Sequence, residues 1–378
     1  MSGLPHEAYL ACMAGLPQVG PSTLRQLAAL GPPDQTWSRL CAGQVPLGVV
    51  PRHATGPEAL RQAWERAAAQ VDPSGHWSRL RELGIGVTSL GCPGYPVSLV
   101  DDPEAPVVMF HQGDPSLLEG TCVAIVGTRR PTGYGRRIAH QLGSALAAEG
   151  ISVVSGLALG IDAAAHAGAV GAGAAPIAVV GAGLDAPCPQ ANRPLARRIA
   201  ATGLICSEVP VGVRAAPWRF PVRNRIVAAF ARVVVVVESA VTGGSMSTVE
   251  HALQRSRTVL AVPGPIDAGT SAGTNRLIAD GAGLCTGVGD VLASLGRSPS
   301  TAGVPSEVRR RSHPEGLAGV LLGLLGWRPE TPDYLVHASG AGLREVIVAL
   351  DWLTRHGWVT QQGGFVERLP VAPAPMAP

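Results

Sequence analysis

The side chains of this sequence that are best suited to chemistry are arginines in or beside glycine-rich turns. The turn Gly127 to Arg130 follows the apolar run Cys122 to Val126 and precedes a segment with helical spacing. In such a turn, backbone N–H groups and a planar guanidinium group together hold phosphate oxygens. The turn predicts a site for a polyanion, and a turn that only joins a strand to a helix is the alternative. The candidate residues here are Gly127, Thr128 and Arg129.

Two further turns of small residues also follow apolar runs. The first begins directly after Ile151 to Val154, and the second extends from Glu238 to Thr248. Small residues let the backbone approach a ligand closely, so both turns are predicted to line a ligand site. The candidate residues in these two turns are Ser155, Gly156, Gly243, Gly244 and Ser245.

The segment Phe220 to Arg225 places an aromatic ring beside two arginines and an asparagine at the start of a predicted helix. Guanidinium and amide groups contact phosphates, and a phenyl ring stacks on a nucleobase. The pattern therefore indicates nucleic acid, and a solvated charged turn is the alternative. The candidate residues in this segment are Phe220, Arg223, Asn224 and Arg225.

Four other side chains would suit an enzyme: Asp162, His166, Glu238 and His251. Asp162 is explained more simply as the N-cap of a helix after Gly160, and His166 as a half-buried histidine of the core. Glu238 is the best acid for the competing hypothesis, an enzyme or binder that acts on a small nucleotide. The sequence contains no H-x-x-x-H or H-E-x-x-H pattern, and we predict no catalytic residue, metal or cofactor.

The charged residues exclude other functions. All 30 basic residues are arginine, whereas P-loop nucleotide hydrolysis and Schiff-base chemistry both need lysine. The first turn is not G-x-G-x-x-G, and the strand after it ends in Ser155 rather than an acidic residue, which disfavours a dinucleotide site. The net charge of +3 is small, so nucleic-acid binding has to depend on a local patch.

Apolar runs and segments with helical spacing alternate regularly from residue 122 to about 286. Predicted strands are 122–126, 151–154, 176–181, 203–206, 232–238 and 258–262, with extra strands at 85–89 and 107–111. Predicted helices are 134–149, 162–170, 190–201, 221–230 and 245–255. The alternation predicts a doubly wound, mostly parallel α/β sheet whose turns meet at the carboxyl ends of the strands.

Shorter modules flank this sheet. The first is a helical module of the SAM or helix-hairpin-helix type, in which Gly15 to Pro21 resembles the helix-hairpin-helix turn, with Ser22 as the N-cap of the second helix. A turn that only joins two helices is the alternative. Three helices and a two-stranded wing near the C-terminus resemble a winged helix. The predicted divisions are a helical module at 1–75, the sheet domain at 76–295, a linker at 296–314, the winged-helix module at 315–369 and a disordered tail at 370–378.

The composition also predicts the compartment. The first residues lack the pattern of a signal peptide, and no apolar run is long enough to span a bilayer, so a cytoplasmic protein without a membrane partner is expected. The seven cysteines are scattered, which favours reduced thiols over disulfides.

Several motifs resemble those of the DNA-processing protein family known as DprA or Smf, in its order and spacing from about 95 to 295. They are Val123 to Arg129, Val154 to Asp162, Ala165-His166, Gly183-Leu184-Asp185, Ser207-Glu208, Phe220 to Arg225, Val262-Pro263-Gly264 and Gly273-Thr274-Asn275.

The resemblance implies an extended Rossmann-like domain that binds single-stranded DNA without sequence preference and without catalysis. It also implies a homodimer that protects incoming strands and loads RecA recombinase on them in natural transformation, displacing single-strand-binding protein. In the family, the arginines that match Arg129, Arg223 and Arg225 line the DNA pocket. Two features depart from the family: Cys188 stands where it usually has tyrosine, and no lysine contributes to the basic channel.

Overall fold

The computed structural model of the chain describes residues 3–51, 56–298, 314–325 and 329–369. These residues belong to two compact units, Met1–Ser300 and Thr301–Pro378. Most of the predicted linker and all of the predicted tail lie outside the described residues. Among the described helices, none has the length and apolar character needed to cross a membrane.

Five short helices open the first unit. They are α1 (His6–Ala14), α2 (Pro21–Ala28), α3 (Pro33–Cys41), α4 (Pro57–Gln70) and α5 (Pro73–Glu82). All but α1 begin with proline, which is favoured there because the first N–H of a helix has no helical acceptor. The expected N-cap at Ser22 is wrong: Gly20 precedes α2, and Ser22 lies in its first turn.

The rest of the first unit is built on one large sheet. Its strands are β1 (Gly86–Ser89), β2 (Val108–Gly113), β3 (Cys122–Val126), β4 (Ser152–Ser155), β5 (Ile177–Val179), β6 (Leu204–Ser207), β7 (Val233–Val236), β8 (Thr258–Ala261) and β9 (Gly283–Leu284). Its helices are α6 (Val97–Val100), α7 (Gly133–Ala148), α8 (Ile161–Gly171), α9 (Arg193–Thr202), α10 (Arg219–Phe230), α11 (Met246–Gln254), α12 (Ala272–Ala279) and α13 (Val288–Ser294).

The strand order is β1-β2-β6-β5-β4-β3-β7-β8-β9. From β6 to β9 the neighbours are parallel, while β1 and β2 add an antiparallel extension beside β6. The chain proceeds outward from β3 through β4 to β6 and then returns to place β7 on the other side of β3. This arrangement confirms the predicted α/β fold with a large, mostly parallel sheet, and it creates a switch point between β3 and β7, where such folds bind ligands.

The predicted strands and helices between 122 and 262 lie within a few residues of the observed elements. The sequence analysis missed α12, β9 and α13, which follow β8. The edge strand β9 has only two residues, both exposed, so it lacks the apolar run that marks the central strands.

Apolar side chains cover both faces of the sheet. The middle strands β3 and β7 are buried throughout, because helices pack on both sides of them. On one face, α7 and α8 lie so close together that a Cβ atom at Gly143 would overlap the backbone of Ala165. The first helices bury Leu27 and Trp64 in a cluster that also contains Phe110 of β2.

The second unit contains three helices and a hairpin. They are α14 (Gly316–Leu324), α15 (Pro332–Ser339), α16 (Leu343–Arg355), β10 (Val359–Gln362) and β11 (Phe365–Arg368). Leu321, Leu335, Val346 and Trp358 form a small core of their own.

Candidate nucleic-acid interface

A cleft of about 480 Å³ lies at the carboxyl ends of the central strands, beside the switch point. The turns after β3, β4 and β7 and the first turns of α10 line it. The predicted residues that line this cleft are Gly127, Thr128, Arg129, Gly156, Phe220, Arg223, Asn224, Gly243, Gly244 and Ser245. Ser155 and Arg225 lie outside its lining. The topology thus gathers three turns and one helix start that are distant in sequence.

The turn after β3 is held rigidly by Glu238, which follows β7. Thr128 N donates to the Glu238 carbonyl oxygen at 2.7 Å. The buried Glu238 carboxylate accepts from Thr132 N at 2.9 Å and from Thr132 Oγ1 at 2.5 Å. Thr132 also caps α7, since its Oγ1 accepts from Gly135 N at 3.2 Å. These bonds fix the backbone around Arg129 without using the Arg129 side chain.

Arg129 presents its guanidinium group to the cleft from this turn. The side chain is exposed, and its Cζ lies 4.6 Å from the centroid of the Phe220 ring. A guanidinium stacked on a phenyl ring keeps its N–H donors at the edge, where phosphate oxygens can reach them. Arg129 and Phe220 therefore form a paired cation and aromatic face at the mouth of the cleft.

The turn after β4 already holds an anionic group of the protein. Gly156 N and Ala158 N both donate to Asp162 Oδ2, at 3.1 and 3.4 Å. The expectation that Asp162 caps α8 is wrong: Gly160 precedes the helix, and Asp162 lies in its first turn and reaches back to these N–H groups. Burial raises the pKa of Asp162, and Arg223 opposes that rise.

Arg223 and Asn224 bind the protein itself. Arg223 is buried and donates through Nη1 to the carbonyl oxygens of Gly156, at 2.8 Å, and of Val179. Asn224 Nδ2 donates to Ser247 Oγ at 2.7 Å. These two side chains join α10 to the turn after β4 and to the first turn of α11, so they position the walls of the cleft.

Ser155 and Arg225 are internal. Ser155 Oγ donates to the Ile125 carbonyl oxygen at 2.6 Å, which ties β4 to β3. Arg225 Nη2 lies 2.5 Å from Glu208 Oε2, and the two side chains are only 6% and 11% exposed. Neither residue faces the cleft in this structure.

The turn after β7 forms the third wall. Ser245 Oγ donates to Ser239 Oγ at 2.8 Å, and Gly243 N donates to the Ala240 carbonyl oxygen at 2.9 Å. A Cβ atom at Gly244 would meet no protein atom within 4 Å, so this backbone borders open space.

The side chains considered for an enzyme do not converge. His166 is fully buried rather than half-buried, with Nε2 3.2 Å from the Ile177 carbonyl oxygen, and burial lowers its pKa to about 4. His251 lies in the last turn of α11, where its Nδ1 is 3.3 Å from Gln254 Oε1 and 3.8 Å from Glu104 Oε2. The stretch around Ser271 fits the G-x-S-x-G pattern of a nucleophile elbow, but Ser271 is only 1% exposed.

The sequence analysis missed the role of Asp162 at the floor of the cleft, because a residue near a helix start is normally interpreted as a cap. It also missed that Arg223 would be enclosed. The sequence signal was the continuous apolar run Ile226 to Phe230 within α10, which indicates that this helix is buried.

Comparisons with known proteins match this architecture. A family model described as DNA recombination-mediator protein A matches residues 87–296, which is more than half of the chain. The putative DNA processing protein DprA of Mycobacterium tuberculosis is 41% identical over 201 residues, 53% of this chain and 52% of that protein. The aligned region therefore spans about half the length of that relative.

Solved structures agree with the sequence comparisons. The X-ray structure of DprA from Streptococcus pneumoniae is 32% identical with a TM-score of 0.63, covering 78% of this chain and 98% of that one. The structure of DprA from Helicobacter pylori, which concerns its single-stranded DNA binding mode, is 30% identical with a TM-score of 0.51, covering 55% of this chain and 95% of that one. The chain thus belongs to the DNA recombination-mediator protein A family, whose relatives are named DprA and Smf.

Proposed function

We propose that this chain binds single-stranded DNA, without sequence preference and without catalysis, in the cleft beside the switch point. The observation that carries the proposal is the exposed Arg129 guanidinium stacked at 4.6 Å on the Phe220 ring. Stacking on an aromatic ring accepts any base, and a guanidinium fork holds a phosphate of any nucleotide. The single-stranded DNA binding of the Helicobacter pylori relative supports this assignment.

The charges of the cleft suggest how a strand would lie. The floor contains the Asp162 carboxylate, whose charge is balanced by the buried Arg223, so it offers no net positive charge to a phosphate. Arg129 at the mouth is exposed and carries its charge outward. We therefore place phosphates at the mouth, against Arg129, and one base below them against Phe220.

The sites predicted at Arg223 and Arg225 take a different role in this proposal. Arg223 shapes the cleft from behind, and Arg225 stabilises α10 through Glu208. The open backbone at Gly244 borders the strand, and Asn224 holds that wall in place by donating to the Gly244 carbonyl oxygen and to Ser247 Oγ. The absence of lysine matters little in this proposal, because the exposed Arg129 supplies the contact to phosphate.

The test is the affinity for labelled poly-dT, measured by fluorescence anisotropy between about 50 and 200 mM salt. We expect Arg129→Ala to weaken binding about ten- to hundred-fold, as for loss of a charge-assisted hydrogen bond. The slope of log affinity against log salt should become less steep by about 0.7, the value for one phosphate contact on a single strand.

The matched control is Arg79→Ala on α5, where an arginine 65% exposed pairs with Glu82 far from the cleft in sequence. It removes the same charge from a residue that does not line the cleft. Both the affinity for poly-dT and its salt slope should therefore stay near the wild-type values. Equal binding by Arg129→Ala and the wild type would contradict the proposal.

The proposal also includes the proteins with which this chain would act. As a homodimer, it would protect incoming single-stranded DNA and load RecA recombinase on it during natural transformation, displacing single-strand-binding protein. The description of the matching family as a recombination mediator supports this role. RecA filament growth on strands coated with single-strand-binding protein, with and without this chain, tests it.

The flanking modules belong to the same proposal. We assign the predicted module at 1–75, extended to the end of α5 at Glu82, to the SAM or helix-hairpin-helix type. The DNA-binding domain then follows up to residue 295, and residues 315–369 are assigned to a winged helix. The three helices and the hairpin of the second unit support the last assignment. Because α16 carries Glu345 and Asp351 as well as Arg344 and Arg355, contact with a protein suits it better than duplex DNA.

The competing hypothesis of a small-nucleotide enzyme depends on Glu238, which is already bound within the protein. Both carboxylate oxygens of Glu238 accept hydrogen bonds from Thr132, and Glu238 is 2% exposed. Nucleoside monophosphate turnover that disappears in Glu238→Ala would restore this hypothesis.

A further inference from the structure

A second cleft of about 530 Å³ lies in the first unit, beside the first turn of α10. One wall is the turn between α1 and α2, from Ala14 to Leu24. The opposite wall is the segment Glu208 to Val213 after β6, and the end of β5 forms the floor. Nothing in the proposed function uses this cleft.

The start of α10 separates the two clefts. Phe220 and Asn224 line the first, whereas Trp218, Arg219 and Val222 line the second. Arg223 lines both, so the clefts are neighbours across a single helical turn. A strand that leaves the first cleft over this turn would enter the second.

The second cleft repeats the chemistry of the first. Arg219 Cζ lies 4.7 Å from the centroid of the Trp218 ring, just as Arg129 lies 4.6 Å from Phe220. Trp218 is 57% exposed, an unusual state for a tryptophan unless its face serves contact. Arg219 Nη1 donates to the Arg214 carbonyl oxygen at 2.6 Å, which holds the pair in place.

The remaining walls suit a base better than a phosphate. Leu16, Val19 and Val213 contribute apolar surface to the cleft. Among the described lining residues the carboxylate is Glu208, in the wall after β6, and its charge is compensated by Arg225 at 2.5 Å. An apolar pocket with an aromatic face and the Arg219 guanidinium beside it fits a nucleobase whose phosphate stays outside.

We infer that this second cleft binds a further nucleotide of the same DNA strand, with its base stacked on Trp218 and its phosphate near Arg219. The inference rests on the proposed function, because it extends the path of the strand from the first cleft. It gives the turn between α1 and α2 a direct part in enclosing DNA.

The experiment compares wild type, Trp218→Ala, Trp218→Phe and Arg129→Ala over a length series of poly-dT oligonucleotides. For the longer oligonucleotides, Trp218→Ala should weaken binding about 5- to 150-fold, the range found for loss of one base–aromatic stack. The shortest oligonucleotide that binds should be unaffected, because it fills only the first cleft. Trp218→Phe keeps an aromatic face and should restore most of the affinity, while Arg129→Ala should weaken every length.

A second readout identifies the residues that contact each base instead of measuring affinity. Oligonucleotides with one 5-iodouracil at successive positions are irradiated with the wild-type chain, and the crosslinked peptide is identified by mass spectrometry. We expect Phe220 and Trp218 to crosslink to different positions of one strand.

The outcomes separate the two proposals. If Arg129→Ala loses binding while Trp218→Ala binds every length like the wild type, DNA binding in the first cleft is supported and DNA binding in the second cleft is refuted. Equal loss at every length in Trp218→Ala, or no crosslink to Trp218, also refutes the second cleft. If the wild type binds no single strand at all, both proposals fall.

Discussion

The buried pair of Arg225 and Glu208 makes a prediction that separates a structural arginine from a DNA-binding one. Sequence reasoning placed Arg225 among the DNA contacts, whereas the structure pairs it with Glu208 at 2.5 Å, with side-chain exposures of 6% and 11%. Removal of one partner of a buried pair leaves a charge without compensation, which costs about 3–5 kcal/mol. We expect Arg225→Ala to lower the free energy of unfolding by that amount.

The pH dependence of this loss has a definite sign. Burial raises the pKa of Glu208, and Arg225 is the main group that opposes the rise. In Arg225→Ala the carboxyl therefore takes up a proton more readily in the folded state than in the unfolded state. The deficit should be largest at neutral and alkaline pH and should shrink as the pH falls and Glu208 becomes neutral.

Urea unfolding measures the effect. The transition of the first unit has to be followed by itself, because a chain of two units need not unfold in one step. Glu208→Gln with Arg225→Met is the matched double variant, and it should recover most of the lost stability because no buried charge remains. Binding of the shortest poly-dT that fills the first cleft should stay near the wild-type level in Arg225→Ala under conditions where it is folded. Wild-type stability together with lost binding would refute the pairing and return Arg225 to the DNA.

Two further predictions test the packing around the cleft. A Cβ atom at Gly156 would overlap the Arg223 guanidinium, so Gly156→Ala should lower the free energy of unfolding by about 1–3 kcal/mol. The control is Gly244→Ala, whose Cβ meets open space and which should change the free energy of unfolding little. Equal urea midpoints for the two variants would contradict this prediction. His166 has its pKa lowered to about 4 by burial, so between pH 6.5 and 4 the unfolded state binds a proton that the folded state does not, and about 3 kcal/mol of stability is lost as the pH falls. His166→Gln should flatten this acid dependence relative to wild type and to the control His140→Gln at an exposed site, and an unchanged slope would show that His166 is not the group responsible.

The central sheet was predictable because its strands are short, continuous apolar runs. Strands such as β7, with four consecutive buried valines, can only belong to a sheet covered on both faces. The runs 122–126, 151–154 and 232–238 are followed by glycine or other small residues, and in a parallel sheet such turns must meet at one edge. The location of the cleft and most of its lining follow from these two facts.

The partners of individual side chains were not predictable in the same way. The pattern of Arg223, Asn224 and Arg225 is the same whether the guanidinium groups face solvent or protein. The direction of the two guanidinium groups is decided by Glu208, which follows β6, and by the carbonyl group of Val179 in β5. Asp162 likewise depends on where the Gly156 turn places its N–H groups. Contacts of this kind arise only after the topology has brought the elements together.

The bond between Glu238 and Thr132 has a consequence for how related sequences can change. One carboxylate at the end of β7 holds both the backbone and the hydroxyl of the turn after β3, across 106 positions of sequence. A chain that replaced Glu238 alone would release the turn that presents Arg129, and a chain that replaced Thr132 alone would leave a buried carboxylate short of donors. Positions 132 and 238 are therefore expected to vary together among relatives, and a pair exchanged as a unit would mark a lineage whose cleft is built in a different way.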